Sequence, residues 1–243
     1  WTDNDISHTA VYDGTTTAPR LHALLAFWRK GMPRYHVDDL LCTVPSCLAE
    51  GRMGTYSLTE RDMLVALALF RIYRPKRVLD FGCNEGDTAS FLLEQCPGIT
   101  IWVGVDLKPE MFQHRGIVPK VAGHLARGDD RFHAVLTDET IQDMARQLNE
   151  NGWTEFDAII MDANHEDWAT QRDTEGCEPF AASPCLWLWH DYNVESRYGS
   201  DGKPFAVKKY IDKLMRQGRT IMVPDETDRD PFKCVSIAWE VSA

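Results

Sequence analysis

The segment Arg77-Val78-Leu79-Asp80-Phe81-Gly82-Cys83-Asn84-Glu85-Gly86-Asp87-Thr88 changes character half-way along, and that change constrains the fold more than any other stretch. Val78 to Phe81 is a short apolar run with β-branched and aromatic residues. It gives way to Gly82-Cys83-Asn84-Glu85-Gly86, a composition suited to a tight turn. Thr88 to Gln95 then sets Ala89, Phe91, Leu92 and Leu93 among polar residues until Pro97-Gly98 stops the run. The order is strand, turn, helix. Glycine on both sides of the turn lets the backbone approach a ligand closely, and the first N–H groups of the new helix face whatever lies above the strand. The pocket so formed has the shape for a nucleotide.

The next apolar run, Ile99 to Val105, ends in Asp106, about twenty residues beyond the turn, the offset at which an acid grips a ribose diol in dinucleotide-type folds. Asp106 is therefore the candidate ribose residue. The turn itself is not the nicotinamide fingerprint, because its spacing is Gly-x-x-x-Gly. These residues resemble the class I S-adenosylmethionine-dependent methyltransferases, whose first motif is Asp/Glu-x-Gly-x-Gly-x-Gly. Asp80, Gly82 and Gly86 stand in place, while Asn84 replaces the middle glycine, which its tolerance of left-handed conformations permits. The pattern within that family is closest to small-molecule and sugar O-methyltransferases of the macrocin and cephalosporin-biosynthesis types. The resemblance runs from Leu58 to the C-terminus. It implies an S-adenosylmethionine site built from Asp80, Gly82, Cys83, Asn84, Glu85, Gly86, Asp106, Leu107, Asp138 and Asp162, with Asp80 receiving the cofactor's amino group and Asp138 its adenine. Asp129 or Asp130 takes the adenine role if the third strand is shifted, and Asp138 read without the resemblance is an N-cap.

Length and patterning complete the fold class. The chain of 243 residues, 44% of them hydrophobic, suffices for one domain with a real core and an extension. Residues 1–56 are expected to form an arm and a helical extension. Leu21, Leu24, Leu25, Phe27 and Trp28 recur there at helical spacing, and Val37 to Leu41 forms a second apolar patch. Tyr35, His36 and Tyr56 are candidates for a substrate lid or for packing on the sheet edge. Residues 57–243 are expected to be the cofactor-binding domain. Ser57-Leu58-Thr59-Glu60 reads as a capping box opening a helix that ends near Tyr73. Strands follow at Phe132 to Leu136, Phe156 to Asp162, Cys185 to Asn193, Arg219 to Val223 and Phe232 to Glu240. Helices are expected over Glu139 to Leu148 and Phe205 to Arg216. This alternation predicts an α/β fold: a doubly wound, seven-stranded, mostly parallel sheet whose terminal strand runs antiparallel.

Two polar clusters end the fourth and fifth strands, Asp162-Ala163-Asn164-His165 and His190-Asp191-Tyr192-Asn193. In the family resemblance, acids at these strand ends of O-methyltransferases hold a magnesium ion that binds two substrate oxygens, which makes Asp162, His190 and Asp191 candidate metal ligands. Histidine at position 190, where such enzymes often carry an acid, suits a softer ion better than magnesium. Without a metal, His165 and then His190 are candidate general bases, beside Asp191 in the catalytic group, since a neutral imidazole accepts a hydroxyl proton near pH 7. The bland alternative for either histidine is a cap or a bond to a backbone carbonyl. Trp187 and Trp189, two apart on a strand, are expected to point together into the sheet–helix core.

The formal net charge of -11 weighs against a broad nucleic-acid surface and favours a small-molecule substrate. Lys203, Lys208, Lys209 and Lys213 form a local basic patch or a solvated helix face. Seven cysteines without a Cys-x-x-Cys module indicate reduced thiols. No apolar run approaches the roughly twenty residues of a membrane span, and Trp1 to Asp5 lack a signal-peptide pattern, so a cytoplasmic protein, with a homo-oligomer allowed, is the expectation. Methylation of an RNA cap is the rival activity, though the fifth strand ends in His190-Asp191 rather than lysine. A non-catalytic scaffold with the same fold is the rival class.

Overall fold

The computed structural model describes residues 34–35, 58–114, 121–138, 140–194, 205–224 and 235–242. The expected helix about Leu21 to Trp28, the patch at Val37 to Leu41, and His36 and Tyr56 lie outside these residues. Helix α1 (Glu60–Tyr73) begins two residues later than the expected cap at Ser57: Thr59 is the N-cap, its Oγ1 accepting the Asp62 N–H at 3.2 Å. An acid at the third helical position completes that cap, because Thr59 Oγ1 also donates to Asp62 Oδ2 at 2.9 Å. The helix closes at Arg74, which precedes Pro75 and is held out of the right-handed helical region, at φ 59°.

Six strands form the main sheet: β2 (Arg77–Phe81), β3 (Ile101–Leu107), β4 (Phe132–Thr137), β5 (Phe156–Met161), β6 (Ala181–Trp189) and β8 (Ala238–Ser242), in the order β4-β3-β2-β5-β6-β8. The first five are parallel and β8 is antiparallel to β6. From β2 the chain moves outward to β3 and β4 and then returns to the other side of β2 as β5. The strand order therefore reverses at the carboxyl end of β2, where open α/β sheets leave a crevice for a ligand. The glycine turn sits at that point.

Register aligns the strand ends. Phe81 lies opposite Val105 on one side and Met161 on the other, and Met161 opposite Trp189. Continuing by one residue, with Gly82 N–H bonded to Val105 O, Asp162 N–H to Phe81 O and His190 N–H to Met161 O, brings Asp106, Gly82, Asp162 and His190 into one row across four strands.

The apolar alternation along each strand buries both faces. Val78, Trp102, Ala158, Ile160, Leu186 and Leu188 pack with α1 and with α2 (Asp87–Gln95). Leu79, Val103, Ile159, Met161, Trp187 and Trp189 pack with α4 (Ile141–Glu150), α5 (Asp167–Cys177) and α6 (Val207–Arg216). Trp187 and Trp189 point together into this second layer, ring centroids 5.6 Å apart, as their two-residue spacing predicts. Trp168, by contrast, is 55% exposed on α5.

The sheet departs from expectation at its last strands. The expected sixth strand, Arg219 to Val223, contracts to β7 (Val223–Pro224), which pairs in parallel with β1 (Arg34–Tyr35), and to one antiparallel bridge between Met222 and Trp239. Pro224 has no N–H with which to continue a ladder. The seventh strand starts at Ala238 because the backbone at Ser236 is used elsewhere: its N–H donates to Asp62 Oδ1 and its carbonyl accepts from Tyr192 N–H. Between β3 and β4 lie α3 (Pro109–His114) and turns over 121–130. Helix α4 starts at Ile141 rather than Glu139, capped by Thr140. Among the described residues, no helix is long and apolar enough to cross a membrane.

One side chain sets where β2 begins. Asp157 Oδ2 accepts the N–H groups of Lys76 at 2.7 Å and Arg77 at 3.0 Å. Asp157→Ala removes the acceptor from both, and urea unfolding is expected to show a loss of about 1–2 kcal/mol, against less than half of that for a change at the solvent-exposed Glu94.

Candidate active site

The turn after β2 is built from positive-φ residues: Gly82 at 97°, Asn84 at 47° and Gly86 at 90°. Asn84 thus occupies the left-handed position that the family motif gives to its middle glycine. A Cβ on Gly82 would lie 2.3 Å from Asp162 O and 2.6 Å from Ala163 Cα, so the β2 turn and the loop after β5 touch backbone to backbone. On the outer side, Gly123 N–H donates to Asn84 O and Leu125 N–H to Glu85 O, which clamps the turn in shape.

Asp106 reaches across to the turn. Its Oδ2 accepts Asn84 N–H at 2.6 Å and its Oδ1 accepts Leu107 N–H at 2.7 Å. Acid and turn are therefore one unit, on the β3 side of the crevice. Asp80, 2% exposed, lies below them and accepts from Trp102 Nε1 at 3.2 Å. Burial, and next the negative charge of Asp162, push its carboxyl up to about 8, against the opposing Trp102 bond. It is a neutral acid at pH 7 until a cation arrives. Cys83 faces inward: its Sγ packs where a Gly104 Cβ would stand, its N–H bonds Val105 O and its carbonyl accepts from Gly86 N–H. Its part in a cofactor site is to frame the turn. Asp138 lies at the carboxyl end of β4 but is exposed, with Oδ1 on the Thr140 hydroxyl. Its rivals are displaced further, since Asp129 and Asp130 precede β4 at the opposite edge of the sheet, Asp129 in an ion pair with Arg131.

On the β5–β6 side the two polar clusters converge. One ligand atom each from Asp162, His165, His190 and Asp191 lies within 4.8 Å of the others. His190 Nδ1 stands 2.8 Å from Asp162 Oδ1, and His165 Nε2 stands 2.9 Å from Asp191 Oδ2 and 3.6 Å from Asp162 Oδ1. Asp191 is left-handed at φ 60°, a costly conformation for a residue other than glycine, held where strand turns to loop. The His165 ring stacks on Phe205 at 4.0 Å, and its carbonyl accepts from Ala206 N–H, so the lead-in to α6 fixes it. A small cleft opens among Asp162, Asn164, His165, Asp173 and His190.

Burial by itself lowers both imidazoles, but the carboxylates prevail. Hydrogen bonds to Asp162 and Asp191 carry His165 up to about 9, and the charges of Asp162 and Asp191 hold His190 well above its ordinary value. Burial likewise raises the two acids, and the His190 charge together with the hydrogen bond and charge of His165 outweighs it, so both are held low. The expectation of two neutral imidazoles is therefore corrected: at pH 7 both are cations. His190 is in addition closed as a base, because its Nε2 lies 3.2 Å from Asp62 Oδ2 and both ring nitrogens face carboxylates. Asp62 is the group that sequence reasoning missed, as was Asp173, a buried acid on α5 that burial pushes up to about 6 against Arg172. In the sequence Asp62 is an ordinary acid in a first helical turn, and no spacing ties it to position 190.

Residues 79–192 match the model of a family described as a methyltransferase domain. Over that stretch, a little under half of its length, the chain is similar to that family. Its fold is that of the class I S-adenosylmethionine-dependent methyltransferases. The O-methyltransferase from Bacillus cereus, solved in complex with SAH, aligns at 12% identity over 91% of this chain and 97% of its own, with a TM-score of 0.52. The O-methyltransferase TomG from Streptomyces achromogenes, involved in tomaymycin synthesis and solved with SAM, aligns at 11% identity over 93% and 98%, with a TM-score of 0.51. No curated protein matches the sequence. The fit of Gly82 against the 162–163 backbone leaves no slack. Gly82→Ala is expected to cost about 2–4 kcal/mol in thermal or urea unfolding, well above the cost of the same change at Gly98, which a Cβ would leave in open space.

Proposed function

We propose that the methyltransferase domain uses S-adenosylmethionine to methylate a hydroxyl of a small molecule, a sugar or a natural-product intermediate. The observation that carries this reading is the adjacency of two unlike sites in one row. A turn with the buried acid Asp80 beneath it and the Asp106 carboxylate bonded to it touches a cluster of acids and imidazoles through Gly82 and Asp162. In the proposed complex the cofactor's ammonium takes the proton-free form of Asp80, and Asp106 turns its carboxylate to the ribose. Leu107 and Asp138 flank the adenine, and the sulfonium methyl faces the loop that begins at Asp162. The acceptor oxygen attacks the methyl carbon as the carbon–sulfur bond breaks. The acceptor's proton passes to His165 Nδ1 of the neutral ring, while Nε2–H donates to Asp191 and so orients the ring. Alignment supplies most of the rate, roughly 7–11 kcal/mol in well-oriented systems.

A divalent metal was the other reading of Asp162, His190 and Asp191. The donors do not suit magnesium, which takes oxygen ligands in octahedral array, since two of the four are imidazoles. A softer ion would have to draw His190 away from Asp162 or Asp62. No step is assigned to a metal. A small acceptor agrees with the net charge of -11; of the four lysines, Lys208 pairs with Asp212, Lys209 with Asp167 and Lys213 with Gln171, and Lys203 lies outside the described residues. The division between residues 1–56, as a cover for the acceptor, and the domain of residues 57–243 belongs to the same proposal.

Calorimetry with S-adenosylmethionine and with SAH tests the cofactor half. Binding is expected, about tenfold or more weaker in Asp106→Ala. Because Asp80 ionises on binding, up to one proton is released near pH 7, fading above pH 8 and absent in Asp80→Asn; heats that do not depend on the buffer's ionisation enthalpy would contradict this. The pH profile of kcat/KM tests the acceptor half, with product mass as the assay. The rate should climb toward pH 9 as His165 loses its proton, and Asp191→Asn should move the climb to lower pH. His165→Gln should cost about 10²–10⁴-fold in kcat.

A further inference from the structure

Asp62 lies on α1, outside both polar clusters, yet both of its carboxyl oxygens are bonded to other elements. It is fully buried. Its Oδ1 accepts Ser236 N–H at 2.7 Å, and its Oδ2 accepts the Ser236 hydroxyl at 2.8 Å, the Thr59 hydroxyl at 2.9 Å and His190 Nε2 at 3.2 Å. The opposite nitrogen of the same ring meets Asp162 Oδ1 at 2.8 Å. Asp162 Oδ1 in turn is 3.6 Å from His165 Nε2. A continuous chain of polar contacts thus runs from the first turn of α1, through a buried imidazole, to the carboxylate beside the proton acceptor. A carboxylate that served only to tie α1 to the strand before β8 would be satisfied by Thr59 and the two Ser236 donors. The fourth contact, to a ring 128 positions away in the chain, adds nothing to that tie.

We infer that Asp62 is a positioning residue for methyl transfer: together with Asp162 it holds the His190 ring as a double donor, and by fixing that ring it fixes the Asp162 carboxylate against which His165 is set. The inference rests on the proposed role of His165 and deepens it. His190 is then a strut between two acids, which accounts for an imidazole at a strand end where an open side chain would serve a metal or a substrate better. A carboxylate with one imidazole on it is free to rotate toward its neighbours. With its partner ring clamped from behind, Asp162 keeps one oxygen toward His190 and His165 while its backbone carbonyl stays against Gly82.

The experiment compares Asp62→Asn with Ser236→Ala in the full chain. The first replaces an oxygen facing His190 by an amide that cannot accept from both sides. The second removes one donor from Asp62 and leaves the His190 contact. Ring nitrogen spectra of histidine-labelled protein are recorded at pH 7 without any acceptor. Asp62→Asn should shift the signals of His165 as well as those of His190, whereas Ser236→Ala should leave His165 in place. With S-adenosylmethionine as methyl donor and a panel of catechols and methyl glycosides as acceptors, Asp62→Asn should lower kcat about tenfold to a hundredfold, while the SAH dissociation constant stays within about twofold. An unmoved His165 in Asp62→Asn, or equal changes in both variants in proportion to their loss of melting temperature, overturns the inference. If Asp62→Asn does not fold, the wild-type spectrum decides: two hydrogen-bonded ring protons on His190 support the double-donor strut, and one refutes it. Absence of cofactor binding by the wild type would defeat the methyl-transfer reading alone, since the spectral coupling of His165 to Asp62 does not depend on it.

Discussion

Three acids and two imidazoles meet at the carboxyl edge of the sheet, Asp62, His190 and Asp191 buried and Asp162 and His165 half-buried, and the surrounding structure depends on their pairing. An isolated ionised acid at any of these depths would cost several kcal/mol. Asp62, Asp162 and Asp191 are each met by a histidine nitrogen, and the hydroxyl and amide donors of Thr59 and Ser236 take the remaining lone pairs of Asp62. The members come from α1, the loop after β5, the end of β6 and the strand leading into β8. Breaking the network at one point exposes charge on four elements at once. Conversely, as long as it holds, the first helix and the last strand are fastened to the two loops between which chemistry is proposed.

The cofactor side is organised by a different constraint, the close approach of backbone to backbone. Gly82 touches the 162–163 peptide, Gly86 touches Gly123, and Gly104 leaves room for the Cys83 thiol. These contacts admit no side chain, and they shape a turn whose Asn84 amide points to Asp106 while those of Gly82 and Cys83 bond Val105 O. Asp80 sits beneath as a proton-bearing acid. The two halves meet at Asp162, whose backbone supports the turn and whose side chain belongs to the charged cluster. One residue therefore links the electrostatics of Asp80 to those of the imidazoles.

Much of the fold could be read from pattern. The runs at Val78, Ile99, Phe132, Phe156 and Cys185 are strands because β-branched and aromatic residues there are bounded by turn residues, and each ends in an acid at the edge where ligands bind. Boundaries moved where hydrogen bonding outweighed pattern. Thr59 took the cap from Ser57 because Asp62 answers it, and β8 began late because Ser236 gives its amide to Asp62. Of the expected sixth strand only Val223 lies in β7, which pairs with β1 and not with the main sheet.

Taken alone, the amino-acid sequence determined the alternation of strand and helix, the glycine turn with its acid about twenty residues on, and the identity of four polar residues at two strand ends. These are local properties, set by periodicity and by what a turn requires of its residues. Only the tertiary structure decided that Asp162, His165, His190 and Asp191 form one cluster and that Asp62 completes it. It also decided that the histidines are charged and that Asp80 is not. The reason is that protonation depends on burial and on partners, and both are set by which distant segments the sheet register brings level.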